Sequence, residues 1–455
     1  MTSNLLSIAS SGAKAAEIAL DITGQNIANA STAGYVRRSA SMTELASPGT
    51  WSTANDVSLS GVIVSGVVRN ADSFLQSEAR RTGSDTAQAT ATVAGLTGVE
   101  TAVEDSGVFT AIGTFTNSLK LLAQNPADTS LRATVIQNGT TMAGSFQIAA
   151  QGLSAAQAGL QGAGYDGVRQ VNTLTSQLAT INTQLSATAA QAASSAGDVT
   201  TSDRASLLDQ RDSLLDQVSQ YANIATTFQA DGSVNINIGG VSGPPLVTGS
   251  STNTLTATTN SDGTVALTVG NAAVTLGGGS IAGNQAALTK LGQIGTNLDS
   301  LASSIATTVN TQQANGADLT GATGTALFSG TTAATLAMTT SKGSAIATAA
   351  AGSAAGSTDA TNLTAMQGAL ATLDPSETMN AILTDISGSV QSATTTQATL
   401  QTLSTAASSS LSAQAGVDLN SEAINLVKFQ QAFQASSKVM QTASTIFDSI
   451  LNLTA

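Results

Sequence analysis

The sequence predicts a mainly α protein with a β insertion. Apolar residues recur at helical spacing through most of the 455 residues, and most regularly near the two ends. Between residues 228 and 283 the spacing changes to strict alternation, the pattern of half-buried strands. The predicted architecture therefore has terminal helices paired as a coiled coil, an inner helical bundle domain, and a small antiparallel β domain at the distal end.

The C-terminal segment 416–453 carries the most regular helical pattern. One apolar row recurs every seven residues, at Leu426, Phe433, Met440 and Phe447. A second row follows three residues behind it, at Phe429, Ser436, Ala443 and Ile450. Two such rows form the a/d seam of a coiled coil, and a helix with this stripe must bury it against a partner.

The N-terminal segment is the partner that the sequence offers. Leu5, Ile8 and Ile22 belong to an apolar row with steps of three and four, and small residues lie between them. The two termini can therefore pair as a coiled coil and also pack against copies of themselves. The alternative is an ordinary bundle in which both helices are buried within one monomer.

The first part of the chain divides at changes in this period. The apolar spacing predicts a helix over residues 3–30. Helical spacing is then lost over residues 35–70, where we expect short extended pieces, one of them at Val57. Helix is expected to resume near Ala71 and to run to about Ala123, although its glycines weaken it.

The next helical region is expected to hold two helices before a loop. Asn125-Pro126 predicts an N-terminus, with Asn as the cap and Pro at the first helical position. One helix would carry Leu131 and a second would carry the seam from Val171 to Leu185. A loop over residues 194–202 would then lead to a further helix.

The middle of the chain predicts the β insertion. Val234, Ile236 and Ile238 alternate with polar residues directly after an Asp-Gly turn signal. Val265, Leu267 and Val269 repeat this pattern after a second Asp-Gly pair.

Helix returns after the insertion. A heptad seam predicts a helix from Asn284 to about Asn310, and residues 315–360, rich in Gly, Ala, Thr and Ser, predict loop or loosely packed structure. Asp374-Pro375 predicts the start of a long helix that leads into the C-terminal seam.

The predicted organisation has five parts. They are an N-terminal helix and extended segment over 1–70, the first part of a long-helix domain over 71–227, the β domain over 228–283, a returning helical part over 284–389, and the C-terminal coiled-coil helix over 390–455.

Composition excludes several classes of function. The chain has no His and no Cys, so a Ser-His-Asp triad, a Cys nucleophile and a zinc-cysteine site are impossible. The net charge of −13 and the lack of a basic stripe argue against a nucleic-acid partner. No apolar run approaches the roughly 18–20 residues that span a bilayer, and the N-terminus lacks the pattern of a cleaved signal peptide. We therefore expect no catalytic, metal or cofactor site and no membrane partner.

One arginine lies between two closely spaced aspartates in the sequence. Arg211 stands between Asp209 and Asp212 in a segment with leucines on both sides. A carboxylate fork on arginine would tie two helices together, so we interpret these residues as a structural salt bridge. Direct contact between subunits is the alternative.

Several motifs resemble one family. The stretch Asn26-Ile-Ala-Asn-Ala-Ser-Thr-Ala-Gly34-Tyr35 resembles the N-terminal signature of bacterial flagellar rod, hook and hook-associated proteins. The tail from Gly416 to Ala443 is similar to their common C-terminal helix. Internal stretches narrow the resemblance to the hook-associated members: Asn125-Pro-Ala-Asp128, Leu208-Asp-Gln-Arg-Asp-Ser-Leu214, and Asn310-Thr-Gln with the glycines that follow.

The resemblance implies a structural adaptor and no enzyme. Such subunits are exported unfolded through the flagellar type III apparatus, without a cleaved signal, and form a ring at the junction of hook and filament outside the cell. The implied partners are copies of the chain, the hook protein, the second hook-associated protein, and an export chaperone on the C-terminal helix. The implied interface for assembly and chaperone comprises Leu5, Ile8, Ile22, Leu426, Phe429, Phe433, Met440, Phe447 and Ile450. The alternatives are another axial protein of hook or rod type, or a secreted surface-binding protein.

Overall fold

The structure is a computed structural model that describes residues 2–32, 34–46, 59–194 and 201–454. Helices dominate these ranges and every strand pair is antiparallel, which confirms the predicted class. The extended piece predicted at Val57 and most of the loop predicted over 194–202 lie outside the described residues. Within the described part of the chain, every helix is too short or too polar to cross a membrane.

The helices are long, and the first and last lie at the two ends of the chain. They are α1 (Thr2–Ala28), α2 (Ser73–Glu104), α3 (Val108–Gln124), α4 (Thr129–Ser194), α5 (Ser202–Tyr221), α6 (Gly279–Ala314), α7 (Thr361–Leu373), α8 (Pro375–Ala415) and α9 (Leu419–Thr454).

In the described ranges the strands are shorter and form five small sheets. They are β1 (Arg38–Ala46), β2 (Leu59–Arg69), β3 (Ile224–Phe228), β4 (Val234–Ile238), β5 (Pro245–Thr248), β6 (Ser251–Thr252), β7 (Leu255–Thr259), β8 (Val265–Val269), β9 (Ala272–Val274), β10 (Gly316–Ala317), β11 (Phe328–Ser329), β12 (Ala337–Met338) and β13 (Ala349–Ala350). The sheet orders are β1-β2, β3-β4-β5-β6, β7-β8-β9, β10-β13 and β11-β12.

Aspartate side chains cap the starts of α4 and α8. The Asp374 side chain accepts a hydrogen bond from the Glu377 amide and Pro375 opens α8, as the sequence predicts. The predicted cap at Asn125 is wrong, because α4 starts four residues later and the Asp128 side chain accepts from the amides of Ser130 and Leu131. The first turn of a helix leaves backbone amides without partners inside the helix. The polar residue directly before that turn, here Asp128, can accept from them and therefore acts as the cap.

Two helix boundaries differ from the predictions. The helix expected over 71–123 is broken, because Gly107 adopts φ 69°, a left-handed conformation that ends α2 and begins α3. The two helices expected after residue 125 are one helix of 66 residues. Its glycines do not break it, and three of them, Gly139, Gly152 and Gly167, allow close approach: a Cβ on Gly152 would lie 3.0 Å from the Ala102 Cβ. Tertiary packing thus overrides the low helix propensity of glycine.

The two strand patterns read from the sequence are confirmed. In β4, Val234, Ile236 and Ile238 are buried and the residues between them are half-buried, and β8 repeats this pattern. The strands begin at Ile224, and α6 already begins at Gly279. The structure does not place these sheets at the distal end: they pack along the second half of α4, where Asn182 hydrogen-bonds to Val234.

Residues 315–360 are mostly loop with short strands, as the sequence predicts, but the segment is well packed and not loose. Leu327, Leu336 and Ile346 have no exposed surface. The Arg132 side chain, 1% exposed, donates to the carbonyls of Pro126, Gly343 and Ile346 and to the Thr348 hydroxyl. One buried guanidinium thereby satisfies the carbonyls of a segment that has almost no charges of its own.

One continuous core joins α2, α3, α4, α6, α7 and the start of α8. Its side chains are mostly aliphatic, and its single aromatic pair is Phe115 with Phe328, with centroids 5.6 Å apart in an edge-to-face arrangement. The largest side chains that are essentially fully buried include Arg132, Phe115, Phe146, Phe328, Ile112, Leu119, Leu122 and Met142.

We predict that Phe115→Ala will lower the free energy of unfolding by about 3–5 kcal/mol, because it empties a fully enclosed site. Phe109→Ala, on the same helix but 46% exposed, should cost less than about 1 kcal/mol. Urea unfolding followed by circular dichroism measures both. Equal losses for the two variants would contradict the described position of the core.

Candidate assembly interface

Helices α1 and α9 pack against each other in antiparallel orientation. A Cβ on Gly12 would lie 3.0 Å from the Ser436 hydroxyl, and Asn26 hydrogen-bonds to Glu422. The two contacts are fourteen residues apart on each helix, which fixes the register over two heptads. The pairing of the terminal helices within one chain is therefore confirmed.

A buried polar lock fixes this register. The Glu422 carboxylate is 1% exposed and accepts from Asn26 Nδ2 at 3.1 Å and from Arg37 Nε at 2.6 Å. The Asn26 oxygen accepts in turn from the Tyr35 hydroxyl at 2.8 Å and from the Arg38 amide at 3.0 Å. Sliding α9 by one heptad would leave these buried groups without partners, which is costly.

An ionic junction connects this terminal unit to the central helices. It comprises Arg38, Arg69, Asp209, Arg211 and Asp212. Arg38 and Arg69 lie directly opposite each other at the open end of the β1–β2 hairpin. Asp209 of α5 binds both, at 2.7 Å from Arg38 Nη2 and 2.8 Å from Arg69 Nε. The carboxylate therefore removes the repulsion that two like charges in cross-strand positions would otherwise produce.

The predicted salt bridge of Arg211 with Asp209 and Asp212 is present only in part, because only Asp212 binds Arg211. Arg211 pairs with Asp212, with Nη2 2.6 Å from Oδ1, whereas Asp209 binds the hairpin arginines instead. Arg211 also donates to the Gly232 carbonyl at 2.6 Å and lies 4.6 Å from the Phe228 ring centroid. It thus ties α5 to the turn between β3 and β4, not to a second helix.

Asp212 is the most constrained carboxylate of the junction. Its other oxygen accepts from Arg69 at 2.8 Å and from Gln76 at 3.1 Å. Burial alone would raise the pKa of Asp212, but the charges of Arg211 and Arg69 and their hydrogen bonds outweigh it and hold the pKa below its usual value. The carboxylate is therefore ionised in the folded state at neutral pH.

The predicted interface residues lie at different depths. Ile22 is buried, and Ile8, Phe429 and Met440 are half-buried. The exposed fractions are 43% for Leu5, 36% for Leu426, 38% for Phe433 and 52% for Phe447. Ile450 belongs to α9, but its side chain is outside the described part of the structure. The C-terminal seam therefore turns toward α1 and stays partly open to solvent.

Sequence reasoning missed a second set of apolar residues on α9. Ile424 is 69% exposed, Val427 50%, Val439 42% and Ile446 43%. These residues lie outside the a/d rows, so a search for a single seam passes over them. Their successive spacings of three, twelve and seven residues keep them within about 120° of the helix circumference, and this was the available signal.

A cleft of about 660 Å³ opens beside the junction, between the loop after α1 and helices α4 and α5. Uncharged polar side chains such as Asn29, Gln177 and Gln217 line most of it. Its two charged lining residues, Arg38 and Asp209, are paired with each other. Among the residues that the structure describes, no group of His, Cys, Asp and Glu could hold a metal ion.

Three family models match this chain in order. Residues 96–328 match the flagellar hook-associated protein FlgK helical domain. Residues 6–35 match the flagella basal body rod protein model, and residues 409–453 match the C-terminal model of the flagellar basal body rod FlgEFG proteins. The two terminal matches coincide with most of α1 and with α9.

Two individual proteins are similar over part of their length. Flagellar hook-associated protein 1 of Bacillus subtilis (strain 168) is 30% identical over 172 residues, which are 36% of this chain and 34% of that protein. The solved structure of the flagellar hook junction protein FlgK from Burkholderia pseudomallei is 26% identical, with a TM-score of 0.48, over 56% of this chain and 46% of the other. The chain thus spans about a third to a half of the length of these relatives.

We predict that Glu422→Ala will loosen α9 from α1, because it leaves Asn26 and Arg37 without their buried acceptor, at a cost of about 2 kcal/mol. Hydrogen exchange of the α9 amides should become faster, while exchange in α4 stays unchanged. Glu104→Ala removes an exposed carboxylate and serves as the control. Unchanged exchange in α9 of the first variant would show that the lock does not hold the helices.

We also predict a pH-dependent effect of Asp212→Asn. The folded pKa of Asp212 lies below the unfolded value of about 3.9, so its stabilisation is full above that pH and is lost as the pH falls through the folded pKa. The variant should lose about 3 kcal/mol at pH 7, and the difference from the native chain should narrow toward pH 3.

Urea unfolding at a series of pH values measures this difference. Asp166→Asn, which breaks a surface pair with Arg169, should cost less than about 1 kcal/mol at every pH. A gap for Asp212→Asn that stays constant from pH 7 to pH 3 would mean that its charge is not what stabilises the junction.

Proposed function

The chain belongs to the flagellar hook-associated protein FlgK family, and from this premise we propose that it is a structural subunit of the bacterial flagellum that joins the hook to the filament. The observation that carries the proposal is the match of the hook-associated model to the central helices, residues 96–328. The terminal helices alone would fit any axial protein.

The geometry of the termini supports a role in assembly. The α1–α9 pair leaves large apolar side chains open on both helices, among them Leu5 and Phe447. Burial of such residues against another subunit is favourable at about 25 cal/mol per Å² of apolar surface. The residues proposed for assembly are Leu5, Ile8, Leu426, Phe429, Phe433, Met440, Phe447 and Ile450. Ile22, which the sequence pattern also suggested, is already buried within the chain and is not open to a neighbouring copy.

The proposed partners follow from this role. The subunit forms a homo-oligomeric ring outside the cell, contacts the hook protein on one side and the second hook-associated protein on the other, and reaches its position by type III export without a cleaved signal. Before export, when α1 and α9 are apart, the apolar seam of α9 binds a chaperone. Nucleic acid and membrane are not among the proposed partners.

The subunit acts by positioning and not by catalysis. A chain with no His and no Cys lacks the usual nucleophile and base pairs, which supports a purely structural role. Binding of a soluble ligand in the cleft beside the ionic junction is not needed for it.

A hook-type or rod-type position is the second candidate. Residues 6–35 and 409–453 match rod protein models, so these ends suit either position. A secreted surface-binding role has weaker support, because the β insertion over 224–274 has one aromatic residue, Phe228, and its ring covers Arg211.

Deletion of the gene in a motile host tests the proposal. We expect hooks without filaments in electron micrographs and flagellin monomers in the medium, because filament subunits have no surface on which to assemble. Reintroduction of the gene should restore filaments. Missing hooks would indicate a rod or hook position, and normal flagella would refute the flagellar role.

A further inference from the structure

The side of α9 that faces away from α1 carries a second row of heptad positions, which we call the outer face of α9. Glu422 and Ser436 face α1, so residues two positions further on lie about 200° around the helix. The row proceeds in steps of four and three, and all its members are exposed: Ile424, Lys428, Gln431, Ala435, Lys438 and Thr442. It is apolar at its start and carries two positive charges.

Helix α1 has a corresponding outer face. Gly12 and Asn26 face α9, and Glu17 and Asp21 lie about 140–180° around the helix from them. The row is exposed throughout and again follows steps of four and three: Ser10, Lys14, Glu17 and Asp21. Leu6, 44% exposed, borders it. With one positive and two negative charges, this face is acidic on balance.

These charges have no ionic partners within the described chain. The ion pairs of the structure do not include Glu17, Asp21, Lys428 or Lys438. The two outer faces point in opposite directions, so they cannot meet within one molecule. Two copies are needed to bring the lysines of α9 to the carboxylates of α1.

We propose that the outer face of α9 in one copy packs on the outer face of α1 in a neighbouring copy. This inference rests on the proposed function and specifies which surfaces meet in the ring. Two outer faces of α9 would bring lysines together, and two outer faces of α1 would bring carboxylates together, so like-charge repulsion opposes both symmetric contacts. The contact is therefore heterologous, the kind that closes into rings.

Affinity and selectivity come from different residues in this contact. Exposed ion pairs add little binding free energy, so the charges mainly select the partner face and its orientation. Ile424 and Val427 on one copy and Leu6 on the next supply the apolar surface that becomes buried. This division of roles between charged and apolar residues suits a chain of net charge −13, because its copies repel one another unless complementary faces meet.

A charge swap tests the contact in a motile host whose own gene is deleted. Lys428→Glu with Lys438→Glu should reduce the fraction of filament-bearing cells by at least about tenfold, as should Glu17→Lys with Asp21→Lys. The chain with all four substitutions should recover filaments to near the native level. If either pair alone assembles normally, or if the four-fold variant stays defective, the proposed contact is wrong.

Two controls separate the sources of failure. Lys120→Glu with Lys342→Glu changes the net charge by the same amount as the two lysine substitutions on α9, at exposed sites outside the terminal helices, and should assemble normally. The native gene must itself restore filaments to the deletion strain. If it does not, the proposed function fails before the contact is tested.

Cross-linking gives a readout that does not depend on motility. The chain has no Cys, so single cysteines report specific contacts. If the lysines of α9 lie opposite Glu17 and Asp21, Ser10 lies near Thr442 when the two helices are antiparallel and near Ile424 when they are parallel. Isolated flagella that contain Ser10→Cys subunits mixed with Thr442→Cys subunits, or with Ile424→Cys subunits, should yield a disulfide-linked dimer in one of the two mixtures, and flagella with a single variant should not. Dimers from one variant alone would indicate a symmetric contact, and no dimer from either mixture would overturn the proposal.

Discussion

The arrangement of the whole chain depends on two carboxylates of α5, Asp209 and Asp212. The hairpin places Arg38 opposite Arg69, and the side chains of both are 7% exposed. Buried guanidinium groups are costly without an anion, and like charges in cross-strand positions repel. Since the two carboxylates resolve both problems, the hairpin is held on α5. Helix α1 packs on the hairpin and α9 packs on α1, so both terminal helices take their position from it. Removing Asp209 would leave Arg38 without a counter-charge, and removing Asp212 would do the same to Arg211, while Arg69 would keep one of its two.

Small side chains decide how the central helices pack. Aromatic residues are 3% of the chain, so large rings cannot fill the space between helices. Instead the helices approach closely: a Cβ on Gly95 would lie 2.4 Å from the Ala287 Cβ, and one on Gly167 would lie 2.7 Å from Ile281. Dense backbone contact replaces bulky side chains as the source of dispersion energy. Residues that weaken helix propensity thus permit close packing at these points of α2 and α4.

Helix α9 links the fold to the proposed function because its two sides have different roles. The side with the predicted seam faces α1, and the Asn26–Glu422 hydrogen bond fixes its register. The opposite side carries exposed apolar and basic residues that nothing in the described chain covers. A helix with one satisfied side and one open side can hold a monomer together and still offer a surface to the next copy. The ionic junction fixes the position of that surface relative to the central helices.

The sequence by itself determined the helical class, the pairing of the two terminal seams, the alternating strands β4 and β8, the start of α8 at Asp374-Pro375, and the absence of His- and Cys-based chemistry. Each of these depends on composition or on residues a few positions apart, where periodicity and capping rules apply. Only the tertiary structure decided that Gly107 breaks a helix while the glycines of α4 do not. It also decided that Asp209 forms an ion pair with Arg38, 171 positions away in the chain, and which side of α9 stays exposed. These outcomes depend on what packs against each residue, and local spacing carries no information about a partner so distant in the chain.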